Sequence, residues 1–170
     1  MKMETGLIAC SDLSGYARFA RTQEAPEVFR LLSDYYELVG DLISPAGGEA
    51  VKFMGDAVLY WFGETAADAG VRSLLELQRQ GDAFLAARGA SCRHHIRAHF
   101  DSVCRGKIGT RTEKRIDVLG PAVNTLFLLK ASGFALTAEA FRQLAPETRR
   151  LFKKHTPPIA YIPHSQPHQD

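Results

Sequence analysis

Two aspartates stand where apolar runs stop, and their placing gives this chain a candidate chemistry. Asp12 follows the run Leu7-Ile8-Ala9-Cys10-Ser11. Asp56 sits in Lys52-Phe53-Met54-Gly55-Asp56, with Val51 and Phe53 before it and Ala57, Leu59 and Trp61 after it at strand period. Such alternation on both sides of a Gly-Asp pair reads as a β-hairpin, because glycine supplies the positive φ a two-residue turn demands. Taken alone, a hairpin with a charged tip is an ordinary feature, and Asp12 is equally suited to cap a following helix. Two strand-end carboxylates that meet in space would instead hold a pair of hard divalent cations.

Two further blocks stand in order behind these. One is Ser102-Val103-Cys104-Arg105-Gly106-Lys107-Ile108-Gly109, and the other is Asp117-Val118-Leu119-Gly120-Pro121-Ala122-Val123-Asn124. Together with Asp12-Leu13-Ser14-Gly15-Tyr16 and Lys52-Phe53-Met54-Gly55-Asp56, they make the chain resemble the class III adenylate/guanylate cyclase catalytic domain, as a single, divergent copy. The blocks answer to that family's strand ending in Asp-(Ile/Leu)-x-Gly-(Phe/Tyr), its Lys-x-x-Gly-Asp hairpin, its glycine-spaced hairpin, and its strand, turn and helix start. Each block alone is a weak signal; four in order are specific.

The resemblance implies an α+β fold with a ferredoxin-like core, a mostly antiparallel sheet covered by helices. It implies head-to-tail pairs of domains with active sites between them, as a homodimer or as a heterodimer with another cyclase chain. Asp12, Asp56 and the carbonyl of Leu13 would hold two Mg²⁺ or Mn²⁺ ions. The amides around Ser14, Gly15 and Tyr16 would cradle the phosphates of the substrate at a helix start. Lys52 and Asp117 would read adenine, a donor facing the acceptor N1 and a carboxylate facing the N6 amino group. The same two residues are also able simply to pair with one another at a wet surface. Asn124 would orient the ribose, or as a helical asparagine merely bond to backbone. The implied reaction is ATP to 3′,5′-cyclic AMP and pyrophosphate.

One position departs from the family. Four residues after Asn124, where an arginine meets the transition-state charge, stands Leu128, within the apolar run Thr125-Leu126-Phe127-Leu128-Leu129. Loss of such a cation costs on the order of a hundredfold in rate. Lys130 lies on the wrong side of a regular helix to replace it. Arg105, Lys107, Arg111, Lys114 and Arg115 are replacements from the adjoining hairpin and loop, although each is also an ordinary solvated charge. Lys153 and Lys154 match a late family lysine loosely. The alternative to an active enzyme is therefore a degenerate cyclase domain that binds nucleotide or a partner and signals without turnover.

Composition narrows the classes. With 170 residues and 45 % hydrophobic content, one globular domain is expected, residues 1–163, with residues 164–170 a disordered polar tail. A formal net charge of +2 gives no case for nucleic acid. Three cysteines without ligand spacing read as core thiols in a reducing compartment. No apolar run reaches the ~18 residues of a membrane span and no signal peptide is evident, so a cytoplasmic protein is expected. The six histidines form no metal motif, and Ser11 and Ser14 have no base beside them for a hydrolase triad.

The elements that must position these residues follow from periodicity. Residues 6–11 read as a buried strand. Residues 27–43 read as an amphipathic helix with Pro26 in its first turn. The hairpin comes next. Residues 65–88 read as a helix with Thr65 as N-cap, Asp68 at the capping-box position and Gly89 at the end. Residues 94–100 read as a strand with 102–108 as its hairpin partner. Residues 116–119 form a strand, 122–131 a helix opened by Pro121, and 134–136 a strand. Thr137 caps a helix over 138–144, Pro146 opens a basic turn, and 159–162 form a last strand.

Overall fold

The computed structural model describes residues 1–129, 132–156 and 159–168. Its spine is β1 (Lys2–Ser14) paired antiparallel along its whole length with β4 (Arg93–Gly109), from Lys2 opposite Arg105 to Ser14 opposite Arg93. On the other side of β1 lies β3 (Ala57–Gly63), and beyond it β2 (Gly48–Met54). Between β1 and β2 run α1 (Tyr16–Ala20) and α2 (Ala25–Ile43); between β3 and β4 runs α3 (Ala67–Ala87). The order β2-β3-β1-β4 with two helical crossovers is the split β-α-β-β-α-β arrangement of a ferredoxin-like core.

The far edge of β4 is shared. Its C-terminal half forms a hairpin with β5 (Lys114–Leu119), and Ile96–Ala98 pair in parallel with β6 (Phe134–Leu136). The sheet continues through β8 (Ala160–Pro163) to β7 (Phe152–His155). Short helices α4 (Pro121–Leu128), α5 (Ala138–Arg142) and α6 (Pro146–Arg149) join these later strands. The expected α+β fold with a mostly antiparallel sheet is what forms; β4–β6 is its parallel pair among the described residues.

Both faces of the central strands are buried, which is why β3 carries the unbroken run Val58-Leu59-Tyr60-Trp61-Phe62 in place of a polar alternation. Val58, Tyr60 and Phe62 pack with Leu7 and Ala9 under α2 and α3, through Tyr35, Val39, Val71 and Leu74. Leu59 and Trp61 pack with Ile8, Cys10 and Val103 on the opposite face, under Ala122 and Leu126 of α4.

Several expectations are corrected. Residues 94–108 are not a hairpin but one strand, because β1 offers a 13-residue edge that pairs with it without a break. The glycine-spaced hairpin is made one step later, by β4 with β5. Thr65 does not cap α3; a 3₁₀ turn over Glu64–Ala66 precedes it and Ala66 is the cap residue. Asp68 instead accepts a hydrogen bond from the amide of Ala145 at 2.9 Å and pairs with Arg72 at 3.2 Å. The helix expected over 122–131 ends at Leu128, Leu129 being extended, and residues 130 and 131 lie outside the described residues. Strand β7 has no counterpart among the expected elements, being short and carrying Lys153-Lys154. Beyond β8, the Gln166 side chain accepts from the amide of Phe134 and donates to the carbonyl of Ser132, each at 2.7 Å. Residues 169 and 170 lie outside the described residues.

Candidate active site

Strand register sets the Asp56 turn beside the residue that follows Asp12. β1 and β3 pair up to Ser11 opposite Val58; continued by two positions, that register sets Leu13 opposite Asp56 and Asp12 beside Ala57. β3 has ended there, so among the described residues the amide of Leu13 meets no strand on that edge and donates to Oδ2 of Asp56 at 3.2 Å. Gly55, with φ of 69°, makes the tight turn that presents Asp56. The turn is held from behind: the hydroxyl of Tyr36 donates to the carbonyl of Gly55 at 2.6 Å, and the Tyr36 ring lies 4.1 Å from that of Phe53. Tyr36 is an anchor that periodicity does not mark, since it lies one residue off the buried stripe of α2.

Asp12 is not a helix cap. Gly15, at φ 86°, occupies that position before α1, and the amides of Arg18 and Phe19 donate to its carbonyl. Ser14 and Gly15 are exposed at the end of β1 and Tyr16 is half-buried. The Asp12 carboxylate instead faces β4. Nη1 of Arg97 lies 3.1 Å from its Oδ2, and Nδ1 of His95 lies 3.7 Å from its Oδ1. Arg97 is not among the residues that the motifs single out. The available signal is the alternation of β4, in which Ile96 and Ala98 face the helices and His95 and Arg97 face the other way.

The electrostatics follow this crowding. Burial first, and then the charge of Asp12, push the Cys10 thiol up to about 12, with Arg97 pulling the other way and Asp56 adding to the rise. Burial and the Asp56 charge likewise raise the phenols of Tyr16 and Tyr36, keeping both as neutral hydroxyls.

Beneath the strands, a buried polar chain fixes their ends. The hydroxyls of Ser11 and Tyr60 are 2.7 Å apart, and the Tyr35 hydroxyl is 2.9 Å from Nε2 of His94. Nδ1 of His94 meets Oδ1 of Asp82 at 2.8 Å, and the His94 amide donates to the same oxygen at 2.9 Å. Burial pushes the Asp82 carboxyl up, but the hydrogen bonds from His94 outweigh it and leave it below its ordinary value.

The second group of candidates lies on β2, β5 and α4. Lys52 and Asp117, 65 residues apart in sequence, form a direct ion pair, the pairing anticipated as the simpler alternative to base reading. They border a cleft of about 590 Å³ walled by Val51, Phe53, Ile108 and Ile116, with Arg115 at its rim. Asn124 is exposed on α4. Leu128 is 77 % exposed and Phe127 49 %, so an apolar helix end faces solvent at the position where the resemblance implies an arginine. Of the replacement cations, Arg105 is paired with Glu49 and Arg115 with Glu113. Lys107, Arg111 and Lys114 are exposed on the hairpin and its loop. Lys153 donates to the carbonyl of His164 at 3.2 Å, and Lys154 is exposed on β7. Lys130 lies outside the described residues.

Among the described residues, no group of three or more His, Cys, Asp or Glu side chains is arranged to hold a metal ion. Asp12, Asp56 and the Leu13 carbonyl make an all-oxygen, incomplete set. It fits a hard cation that takes its remaining ligands from phosphate oxygens and water, the habit of Mg²⁺ in nucleotide sites.

Comparison with known proteins completes the description. No family model matches the chain. It is 29 % identical over 121 residues to an adenylate cyclase of Anabaena cylindrica, covering 66 % of this chain and 24 % of that protein. It is 23 % identical over 123 residues to adenylate cyclase 1 of Rhizobium meliloti, covering 67 % of this chain and 18 % of that protein. The chain thus spans about a quarter or less of the length of these relatives. In structure it superposes on the adenylyl cyclase CyaB of P. aeruginosa with a TM-score of 0.84 at 16 % identity, covering 98 % of this chain and 96 % of that one. The guanylyl cyclase Cya2 matches with a TM-score of 0.79 at 21 % identity, covering 94 % of this chain and 91 % of that one. At these identities the structural likeness is one of fold. No helix among the described residues is long and apolar enough to cross a membrane.

Proposed function

We propose that this chain, whose fold is that of the class III nucleotide cyclase catalytic domain, converts ATP to 3′,5′-cyclic AMP and pyrophosphate at sites shared between two copies. The observation that carries this reading is the meeting of the β1 end with the β2–β3 turn, where the Asp56 carboxylate accepts from the Leu13 amide next to Asp12. In a head-to-tail pair, Asp12, Asp56 and the Leu13 carbonyl of one copy hold the divalent cations. The amides of Ser14, Gly15 and Tyr16 take the phosphates. Lys52 and Asp117 of the other copy present a donor and an acceptor side by side, the pattern that adenine N1 and N6 require and guanine mismatches. Asn124 of that copy holds the ribose.

When bound, Mg²⁺ or Mn²⁺ supplies Lewis acidity that eases loss of the 3′-hydroxyl proton and balances charge on the departing pyrophosphate. The ribose 3′-oxygen bonds to the α-phosphorus, the bond from that phosphorus to the bridging oxygen breaks, and the proton passes to solvent. The protein's part is positioning, which converts a long triphosphate chain into a near-attack geometry.

Incubation of the purified protein with ATP and Mn²⁺, followed by measurement of cyclic AMP and pyrophosphate, tests this directly. Asp56→Ala must abolish product; activity surviving that change removes the metal assignment.

The exposed Leu128 favours a second reading, a domain that binds nucleotide and signals without turnover. Tight ATP binding with no product supports it. Product that forms only when another cyclase chain is added points instead to a heterodimer in which that chain brings the arginine.

A further inference from the structure

Arg97 is placed where the cation-binding reading does not call for a positive charge. It stands on β4 opposite Cys10, while Asp12 is opposite His95, so the two side chains project from the same face one pair apart. Its Nη1 meets Oδ2 of Asp12 at 3.1 Å. The contact is largely sheltered, Arg97 retaining 18 % of its side-chain exposure and Asp12 33 %. The other Asp12 oxygen faces His95 at 3.7 Å. The guanidinium is not fully anchored: its Nε is buried and has no hydrogen-bond partner among the described residues. A buried donor left unmet costs free energy, so this resting position is not one in which all the arginine's donors are satisfied.

We propose that Arg97 is a built-in counter-ion of Asp12, which must yield Oδ2 before the carboxylate takes a divalent cation and so sets the cation affinity of the site. This rests on the reading of Asp12 and Asp56 as metal ligands. With Arg97 in place, the carboxylate pair carries a net charge nearer −1 than −2. One of the two oxygens is engaged, and an entering dication meets a positive charge already beside the carboxylate. The ion pair keeps two neighbouring carboxylates compatible in the free protein. Cation entry exchanges one electrostatic partner of Asp12 for another, and release of the guanidinium frees Nε and Nη groups to find acceptors. At water-like screening, a repulsion between a unit charge and a dication some 6 Å apart is worth about tenfold in affinity.

The experiment is Mn²⁺ binding, followed by the electron paramagnetic resonance signal of free Mn²⁺, on wild type, Arg97→Gln, Arg97→Lys and Asp56→Ala. Arg97→Gln is expected to bind Mn²⁺ about tenfold more tightly. Arg97→Lys, which keeps the charge, is expected to stay within about threefold of wild type. If wild type binds Mn²⁺, Asp56→Ala does not, and Arg97→Gln is unchanged or weaker, the counter-ion role is overturned while the metal reading stands. If neither wild type nor Arg97→Gln binds Mn²⁺, both fall. A readout that needs no variant is the Arg97 Nε–H resonance of the wild-type chain. It shifts on saturation with diamagnetic Mg²⁺ if the guanidinium leaves Asp12, and its constancy at saturation overturns the proposal.

Discussion

The amide of Leu13 donates to the carboxylate of Asp56 at 3.2 Å, across 43 residues of sequence. The contact exists because β1 runs past the last pair it makes with β3, leaving one edge of its backbone open opposite the Gly55-Asp56 turn. A backbone amide needs a partner when it is withdrawn from water, and here a carboxylate fills the place of a ladder carbonyl. The register that pairs Ser11 with Val58 therefore also sets the Asp56 turn against Leu13, the residue that follows Asp12.

The apolar residue on α4 is the clearest test of whether turnover has been lost. Leu128 is 77 % exposed, so Leu128→Arg is expected to change stability by no more than about 0.5 kcal/mol. If the missing cation is what limits the reaction, cyclic AMP formation rises by about a hundredfold. An unchanged rate in a folded variant means the deficit lies elsewhere.

Base choice is tested at the Lys52–Asp117 pair. Lys52→Glu sets two carboxylates against each other and removes the donor for adenine N1. ATP use, measured as kcat/KM, is expected to fall roughly a hundredfold. Adding Asp117→Ser relieves the repulsion and moves preference toward GTP, which presents N1–H and O6 at that edge. A double variant that still prefers ATP shows that the base is read by other groups.

Acid stability reports on the buried chain under the site. The Asp82 carboxyl lies below its ordinary 3.8, because hydrogen bonds from His94 outweigh burial. A lowered carboxyl adds stability that is present above the ordinary value and is lost as pH falls through the folded one. Asp82→Asn is thus expected to cost about 1–3 kcal/mol at pH 7, and the gap to wild type to close below pH 3.8. Urea unfolding at about pH 7 and then stepwise below pH 3.8 follows the gap; a gap that widens in acid contradicts the assignment.

Thiol labelling gives an independent check on the crowding around Asp12. With its thiol held up at about 12, Cys10 has roughly one molecule in ten thousand as thiolate at pH 8. In the folded protein it is expected to resist an aromatic disulfide reagent that labels the half-buried Cys104. Unfolding in urea should expose it. Rapid labelling of native Cys10 would show that the β1 end is open to solvent.

Much of this architecture is written in the order of the residues. The amphipathic stripe of α2, the Pro26 start, the Gly55-Asp56 turn and the Thr137 cap are local matters of periodicity and turn chemistry, and they form as the residues dictate. Four motif blocks are enough to identify the fold class, and strand-end position alone marks Asp12 and Asp56 as candidate partners. Pairing is what the residues do not reveal. That Arg93–Gly109 is one strand follows from the length of β1, its partner some 90 residues away. Strand β7 exists only because β8 pairs with it, its own Phe-Lys-Lys-His having little strand character. Arg97 on Asp12, Tyr36 behind Gly55 and Lys52 on Asp117 are all meetings across strands or between a helix and a turn. Local interactions are set by residues within a turn or two of each other and show in their spacing. Cross-strand contacts depend on register, in which a shift of one residue turns every side chain to the opposite face, and that choice is made only when the whole sheet is assembled.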